Sequence, residues 1–133
     1  MTLITPVSKP DHRLIRVLIV DDMPQVRQEL RSLLQLSDEV EIVGEAGNGQ
    51  EAISQAEPLR PDVIIMDLEM PILDGLQATS QIKKRMLTKR VVILSVHSEP
   101  EDLDRAMQSG ADAFVQKGSP YSTLIESIHS NKP

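Results

Sequence analysis

Residues 62–75 read Asp62-Val63-Ile64-Ile65-Met66-Asp67-Leu68-Glu69-Met70-Pro71-Ile72-Leu73-Asp74-Gly75. Val63 to Met66 is an unbroken apolar run, the composition of a strand covered on both faces. It ends on a carboxylate, Asp67. Met70-Pro71 then breaks any regular continuation, and Asp74-Gly75 brings turn and helix-capping chemistry. Strands covered on both faces belong to parallel sheets, where ligands bind outside the carboxyl ends of the strands. Taken alone, Asp67 could equally cap a helix. Its meaning depends on what the other strands end on.

Working outward from this stretch, strand and helix signals alternate. Upstream, Leu14 to Val20 is β-branched and aliphatic and runs directly into Asp21-Asp22-Met23-Pro24. Val26, Leu30, Leu33 and Leu34 follow at helical spacing, one stripe of an amphipathic helix. Val40 to Ala46 is a second, shorter strand. Gly47-Asn48-Gly49 turns the chain, Asn48 and Glu51 have capping-box spacing, and Ala52, Ile53 and Ala56 mark a short helix stopped by Pro58 and Pro61. Downstream, Gly75 to Met86 reads as a helix with Leu76, Thr79, Ile82 and Met86 along one side. Val91 to Leu94 is a fourth strand with Ser95 at its end. Glu99 to Ser109 is helical, with Leu103, Ala106 and Met107 as the buried stripe and Gly110 as C-terminal cap. Ala113 to Gln116 is a fifth strand ending at Lys117, and Ser119-Pro120 opens a last helix carrying Leu124, Ile125 and Ile128. Five strand–helix units in succession predict an α/β fold: a doubly wound, five-stranded parallel sheet with right-handed crossovers and helices on both faces.

At 133 residues the chain suits one domain, and no internal repeat divides it. With one Phe, one Tyr and no Trp, the core must be aliphatic. A net charge of -6 and a pI near 5.0 argue against nonspecific nucleic-acid binding. The absence of cysteine excludes disulfides and thiolate metal sites, and three scattered histidines (His12, His97, His129) do not make a metal cluster. Residues 1–13 are polar, contain Pro6 and Pro10, and lack the apolar region of a signal peptide. They are expected to form a flexible arm before a domain spanning 14–130, with 131–133 a short tail, in a soluble cytoplasmic protein without membrane attachment.

The strand ends carry the chemistry. Strand one ends at Asp21 and Asp22, strand three at Asp67, strand four at Ser95 and strand five at Lys117. In a parallel sheet these ends share one edge, which brings three carboxylates, a hydroxyl and an ammonium into one crevice. Two carboxylates ~4 Å apart repel by about 4 kcal/mol at an effective dielectric of 20, so such a cluster calls for a cation. All-oxygen ligands without imidazole or thiolate favour Mg²⁺.

Asp21-Asp22, the Asp67-to-Gly75 segment, Ser95 and Lys117-Gly118-Ser119-Pro120 together resemble the receiver domain of two-component response regulators (the CheY-like superfamily), over roughly Leu14 to Ser130. The resemblance implies the flavodoxin-like strand order 2-1-3-4-5. It further implies that Asp67 is the phosphoacceptor for a sensor histidine kinase, a carboxylate nucleophile forming an acyl phosphate. Asp21, Asp22, Asp67 and the backbone carbonyl of Glu69 would hold Mg²⁺, for which Mn²⁺ can substitute. Lys117 would contact a phosphoryl oxygen, and Ser95 would donate its hydroxyl to another. Phe114 occupies the family's aromatic switch position, more often tyrosine, so a switch there rests on ring packing alone. The family's signalling surface implies an altered face along the fourth helix, fifth strand and fifth helix, with homodimerisation on phosphorylation as one consequence.

Val43 to Gly49, Ser95-Val96-His97 and Gly110 to Lys117 look like the receivers of NarL/LuxR-type transcription regulators, in which DNA is met only through an output domain absent from this chain. A stand-alone regulator that docks to partners is the alternative. A phosphate-ester hydrolase with an aspartate nucleophile is a third reading, but it would normally place a second aspartate where Glu69 stands. The chain is therefore expected to be a signalling phosphoacceptor with slow autodephosphorylation, not an enzyme of turnover. His97 and His129 read as solvated surface residues, with His97 near enough to Ser95 to tune water access to an acyl phosphate.

Overall fold

The computed structural model describes residues 13–129; except for Arg13, the expected arm and tail lie outside them. The elements follow the expected order: β1 (Ile15–Val20), α1 (Pro24–Leu34), β2 (Val40–Ala46), α2 (Gly49–Leu59), β3 (Val63–Met66), α3 (Gly75–Lys84), β4 (Arg90–Ser95), α4 (Pro100–Gln108), β5 (Ala113–Gln116) and α5 (Tyr121–His129). Every strand pairing is parallel and the order is β2-β1-β3-β4-β5. No helix of the described residues is long and apolar enough to cross a membrane.

Successive side chains along a strand point to opposite faces, so each apolar run feeds two layers at once. Leu18, Val20, Ile64, Met66 and Ile93 pack with Ala52, Ala56, Ala78 and Ile82 on the side of α2 and α3. Val17, Ile19, Ile65, Val92 and Leu94 pack with Leu30, Leu34, Leu124 and Ile128 on the side of α1 and α5. Leu18, Ile19, Ile64 and Ile65 are fully buried, and each such side chain contributes roughly 1.5–3 kcal/mol. This core fixes the edge from which the strand-end residues project.

Several local expectations are corrected. α2 is not stopped by Pro58 but runs through it to Leu59, because only one helical hydrogen bond is lost in the last turn. It ends where Arg60 turns left-handed (φ 45, ψ 61) ahead of Pro61, which disfavours a right-handed helical residue before it. Asn48 caps α2 through the Glu51 N–H at 2.9 Å, but Glu51 closes on the Gly47 N–H instead of completing a capping box. α3 ends at Lys84, so Met86 (φ 55) lies outside it with its side chain in solvent, and Leu87 takes the buried position. In α4 only Ala106 is buried, while Leu103 and Met107 stand exposed, as does Leu33 in α1. α5 begins one residue late, with the Pro120 carbonyl accepting from the Thr123 N–H at 2.9 Å.

Candidate functional site

The backbone ladder pins the strand ends side by side. The Asp67 N–H donates to the Val20 carbonyl at 2.9 Å, and the Asp21 N–H to that of Ala46 at 3.1 Å. The Lys117 N–H donates to the Ser95 carbonyl at 2.8 Å, so β4 and β5 also leave the sheet in register. After Asp67 the chain must turn at once. The Gly75 N–H returns to the Leu68 carbonyl at 2.8 Å, and a Cβ at Gly75 would collide with the Asp67 carbonyl oxygen. Asp74 then starts α3 with a true capping box, its side chain accepting from the Gln77 N–H at 2.8 Å. The aspartate–glycine pair therefore sets the fold of the loop that carries the site.

Asp21, Asp22 and Asp67 each bring a carboxylate oxygen to within 4.8 Å of the others. Asp21 and Asp67 are buried and Asp22 is exposed, so the cluster is walled by protein and open to water on one side. Lys117 reaches back across it, its Nζ standing 2.9 Å from Asp21 Oδ2 and 3.3 Å from Asp67 Oδ1. Three carboxylates against one ammonium leave an excess of two negative charges. Burial pushes the Asp67 carboxyl up, and the neighbouring Asp21 charge adds to this. Lys117 offsets only part, and the group rests at about 6. For Lys117 burial favours the neutral amine, but Asp21 and Asp67 outweigh it and raise the ammonium above its ordinary value. Oxygen ligands converging with surplus negative charge and water access are the chemistry of a hard divalent cation that keeps part of its hydration shell.

Helix capping does not explain Asp21. Its Oδ1 accepts from the Met23 N–H at 2.9 Å, ahead of a helix that has no side-chain cap. Ser95 is buried at the end of β4, and its hydroxyl oxygen accepts from the His97 N–H at 3.0 Å. Phe114, paired with Ile93 across β4 and β5, is partly buried against the α2/α3 layer. The Glu69 side chain is exposed and stands 3.3 Å from His97 Nε2, which joins the loops after β3 and β4. His129 likewise meets Glu39 at 3.1 Å. Both histidines thus have partners that reading them as solvated residues did not anticipate.

Arg27 and Arg31 were also missed. Arg27 donates to the Asp21 carbonyl at 2.6 Å and to Glu45 at 3.1 Å, and Arg31 donates to Glu45 at 2.7 Å. Their spacing of four on α1 puts them on one face. Together with an acid near the end of the neighbouring strand, that was a readable signal.

The sequence matches the response regulator receiver domain family over residues 17–129. It is 34% identical over 113 residues to the nitrate/nitrite response regulator protein NarL of Escherichia coli K12, covering 85% of this chain and 52% of that protein. It is 40% identical over 114 residues to the response regulator protein VraR of Staphylococcus saprophyticus, covering 86% and 54%. Among solved structures, a DNA-binding response regulator of the LuxR family from Staphylococcus aureus superposes with a TM-score of 0.80 at 31% identity, covering 86% of this chain and 96% of that one. The response regulator domain of Thermotoga maritima CheB superposes with a TM-score of 0.78 at 30% identity, covering 90% and 100%. The chain spans about half the length of the curated relatives it matches.

Proposed function

The chain belongs to the response regulator receiver domain family of two-component systems, and on that premise we propose that Asp67 accepts a phosphoryl group from a sensor histidine kinase. The observation that carries this reading is the shared contact of Lys117 with Asp67 and Asp21 in a crevice left two charges negative. A carboxylate oxygen of Asp67 attacks phosphorus in line, the O–P bond forms, the P–N bond of the phosphohistidine breaks, and the imidazole nitrogen keeps the electron pair. Mg²⁺, or Mn²⁺ in its place, held by the carboxylates of Asp21, Asp22 and Asp67 and the Glu69 backbone carbonyl, would supply positive charge to the phosphoryl oxygens. Lys117, whose Nζ already stands 3.3 Å from Asp67 Oδ1, holds a further oxygen as a point charge.

Ser95 gives up its bond from the His97 N–H and turns its hydroxyl to the new phosphoryl group. That movement draws in the loop after β4 and opens room for the Phe114 ring, so the α4/β5/α5 face changes. The change is a population shift limited by the differential contacts the phosphoryl group makes. Exposed Leu103 and Met107 on α4 favour that face as the one a partner reads. The kinship with NarL and a LuxR-family regulator supports an N-terminal receiver of a transcription regulator, with a stand-alone docking regulator as the alternative. Nothing favours a hydrolase: Glu69, at the place of a general acid, is exposed and paired with His97.

The test is labelling with acetyl phosphate and Mg²⁺, followed by peptide mapping. Wild type should carry the group on Asp67, and Asp67→Asn should take up none while keeping its circular dichroism. Label mapping to any other residue overturns the assignment. Ser95→Ala should still be labelled, yet under beryllofluoride and Mg²⁺ it should lose the backbone NMR shifts that reach Phe114 and α4 in wild type.

A further inference from the structure

Asp21 and Asp22 stand side by side at the end of β1 but are held very differently. Asp21 has a partner on each of its polar atoms. Its N–H donates to the Ala46 carbonyl at 3.1 Å, its Oδ1 accepts from the Met23 N–H at 2.9 Å, and its Oδ2 accepts from Lys117 Nζ at 2.9 Å. Its carbonyl lies one residue past the strand, and Arg27 Nη1 donates to it at 2.6 Å. Asp22 is exposed, yet its carboxylate belongs to the same cluster. The peptide whose oxygen Arg27 holds is the planar unit that joins Asp21 to Asp22. That bond therefore fixes the plane from which Asp22 projects.

Arg27 is anchored in turn. Its Nε donates to Glu45 at 3.1 Å, and its side chain is only 20% exposed. Arg31 donates to the same Glu45 at 2.7 Å and, among the described residues, to nothing of Asp21. A tie between α1 and β2 needs Glu45 alone, so the second contact of Arg27 has another use. A guanidinium this near three carboxylates would compete with a cation if it paired with their oxygens. Arg27 instead turns to a peptide oxygen and to an acid outside the cluster, which leaves the ligand oxygens free. Ligands from adjacent residues hold a small ion only while the peptide between them stays in place. Mg²⁺ demands near-octahedral geometry at short distances, whereas Ca²⁺ accepts more oxygens at longer and more variable ones. Groups behind the ligands set such geometry, and losing one commonly costs about tenfold or more in metal affinity.

We propose that Arg27 is a positioning residue for the cation site: by fixing the Asp21–Asp22 peptide it holds the carboxylates in an arrangement that favours Mg²⁺ over Ca²⁺. This rests on the reading of the carboxylate cluster as the Mg²⁺ site. The charge of Arg27 acts in the opposite direction, because a cation beside the crevice repels both ions alike. Its removal by charge alone tightens both ions. A loosened peptide weakens Mg²⁺ and spares Ca²⁺. The two effects differ in sign for Mg²⁺, and only the second changes the ratio of the two affinities.

The experiment measures dissociation constants for Mg²⁺ and Ca²⁺ by backbone NMR titration at constant ionic strength, on wild type, Arg27→Met and Arg31→Met. Both variants lose a positive charge and one arm of the Glu45 tie, but only the first releases the Asp21 carbonyl. Arg27→Met should bind Mg²⁺ about tenfold more weakly, with Ca²⁺ changed by less than about twofold. The Mg²⁺ concentration for half-maximal labelling by acetyl phosphate should rise with it, while the rate at saturating Mg²⁺ stays near that of wild type. Arg31→Met should keep the wild-type ratio of the two ions. Arg27→Lys retains the charge but has one nitrogen for two partners. Its ratio should fall between those of wild type and Arg27→Met, and it carries the test if Arg27→Met does not fold. The inference is overturned if Arg27→Met binds Mg²⁺ as tightly as wild type or more tightly, or if both ions weaken alike. It is also overturned if Arg31→Met loses the preference as fully, or if Arg27→Lys keeps the wild-type ratio. A wild type whose Asp22 and Asp67 signals respond to neither ion is a different result, and it removes the Mg²⁺ site itself.

Discussion

Glu45 lies on β2 and Asp67 directly after β3, the two strands that flank β1, and they differ in how their charge is met. Glu45 has two guanidinium groups, Arg27 Nε at 3.1 Å and Arg31 Nε at 2.7 Å. Burial pushes its carboxyl up, but Arg31 and Arg27 more than reverse that and hold it below the ordinary range. Asp67 must share one ammonium with Asp21 and rests at about 6. The same functional group is a tie between helix and strand in one place and an unmet demand for positive charge in the other. Arg27 touches both regions, through Glu45 and the Asp21 carbonyl, yet its charge is spent on the first. An acid left short of counter-charge beside fully served neighbours marks where a cation and an electrophile can enter.

The largest effect should come from the glycines that shape each region. At Gly75 a methyl group meets the Asp67 backbone, which cannot yield without moving the site. At Gly47 the nearest atoms are side-chain ends, Arg27 Nη1 at 3.5 Å and Glu51 Oε1 at 3.6 Å. Gly75→Ala should cost about 3 kcal/mol or more, and Gly47→Ala well under about 1 kcal/mol. Urea denaturation measures both. Equal costs would mean that the loop after β3 is no more constrained than the turn after β2.

Next in size are the acids, with opposite signs. Glu45→Gln leaves two partly exposed arginines without a counter-charge and should destabilise by about 1–2 kcal/mol at pH 7. Asp67→Asn, free of metal at pH 8, should stabilise by about 2 kcal/mol, because it removes a charge that burial and Asp21 disfavour, an effect moderated by the water that reaches the crevice at Asp22. The pH dependences also oppose. Asp67 titrates higher folded than unfolded, so its contribution is fully present below about 4 and is lost as pH rises through about 6. Glu45 titrates lower folded than its ordinary 4.5, so its contribution is present above that value and lost as pH falls through the folded one. The Asp67→Asn effect should therefore fade as pH falls from about 6 toward 4, whereas the Glu45→Gln effect should begin to fade only below 4.5. A destabilising Asp67→Asn at pH 8 would erase the contrast.

The contrast also separates what the sequence made legible from what it did not. The central strands could be read because their apolar runs are long and bounded by charges. Asp21, Asp22, Asp67, Ser95 and Lys117 could be read because each stands directly at a strand end, where topology alone sets the neighbours. The exposure of Leu103 and Met107 could not, since helical spacing tells which residues share a face but not how closely that face lies on the sheet. Met86 fell outside its helix because Arg85 and Met86 leave helical geometry (φ 55 at Met86), a backbone choice that periodicity does not encode. The left-handed backbone at Ile72 runs against the preference of its own side chain. No reading from propensity reaches such a position.

The smallest effect is the sharpest test of the two regions. A ligand that binds only the folded state raises stability by RT ln(1 + [L]/Kd), about 1.4 kcal/mol at tenfold the dissociation constant. Mg²⁺ should do this for wild type, because it offsets the charge that Lys117 leaves unmet. It should do so far less for Asp22→Ala, which loses a ligand and one unit of charge. Glu45→Gln, though less stable overall, should keep the full increment, since Glu45 is served by its own cations and lies outside the carboxylate cluster. The chain is net negative by 6, so any salt relieves some repulsion, and the titration must be run at constant ionic strength with potassium chloride as the balance. Melting temperatures across millimolar Mg²⁺ for the three proteins decide the matter. An increment that survives in Asp22→Ala, or vanishes in Glu45→Gln, would place the unmet charge outside the crevice.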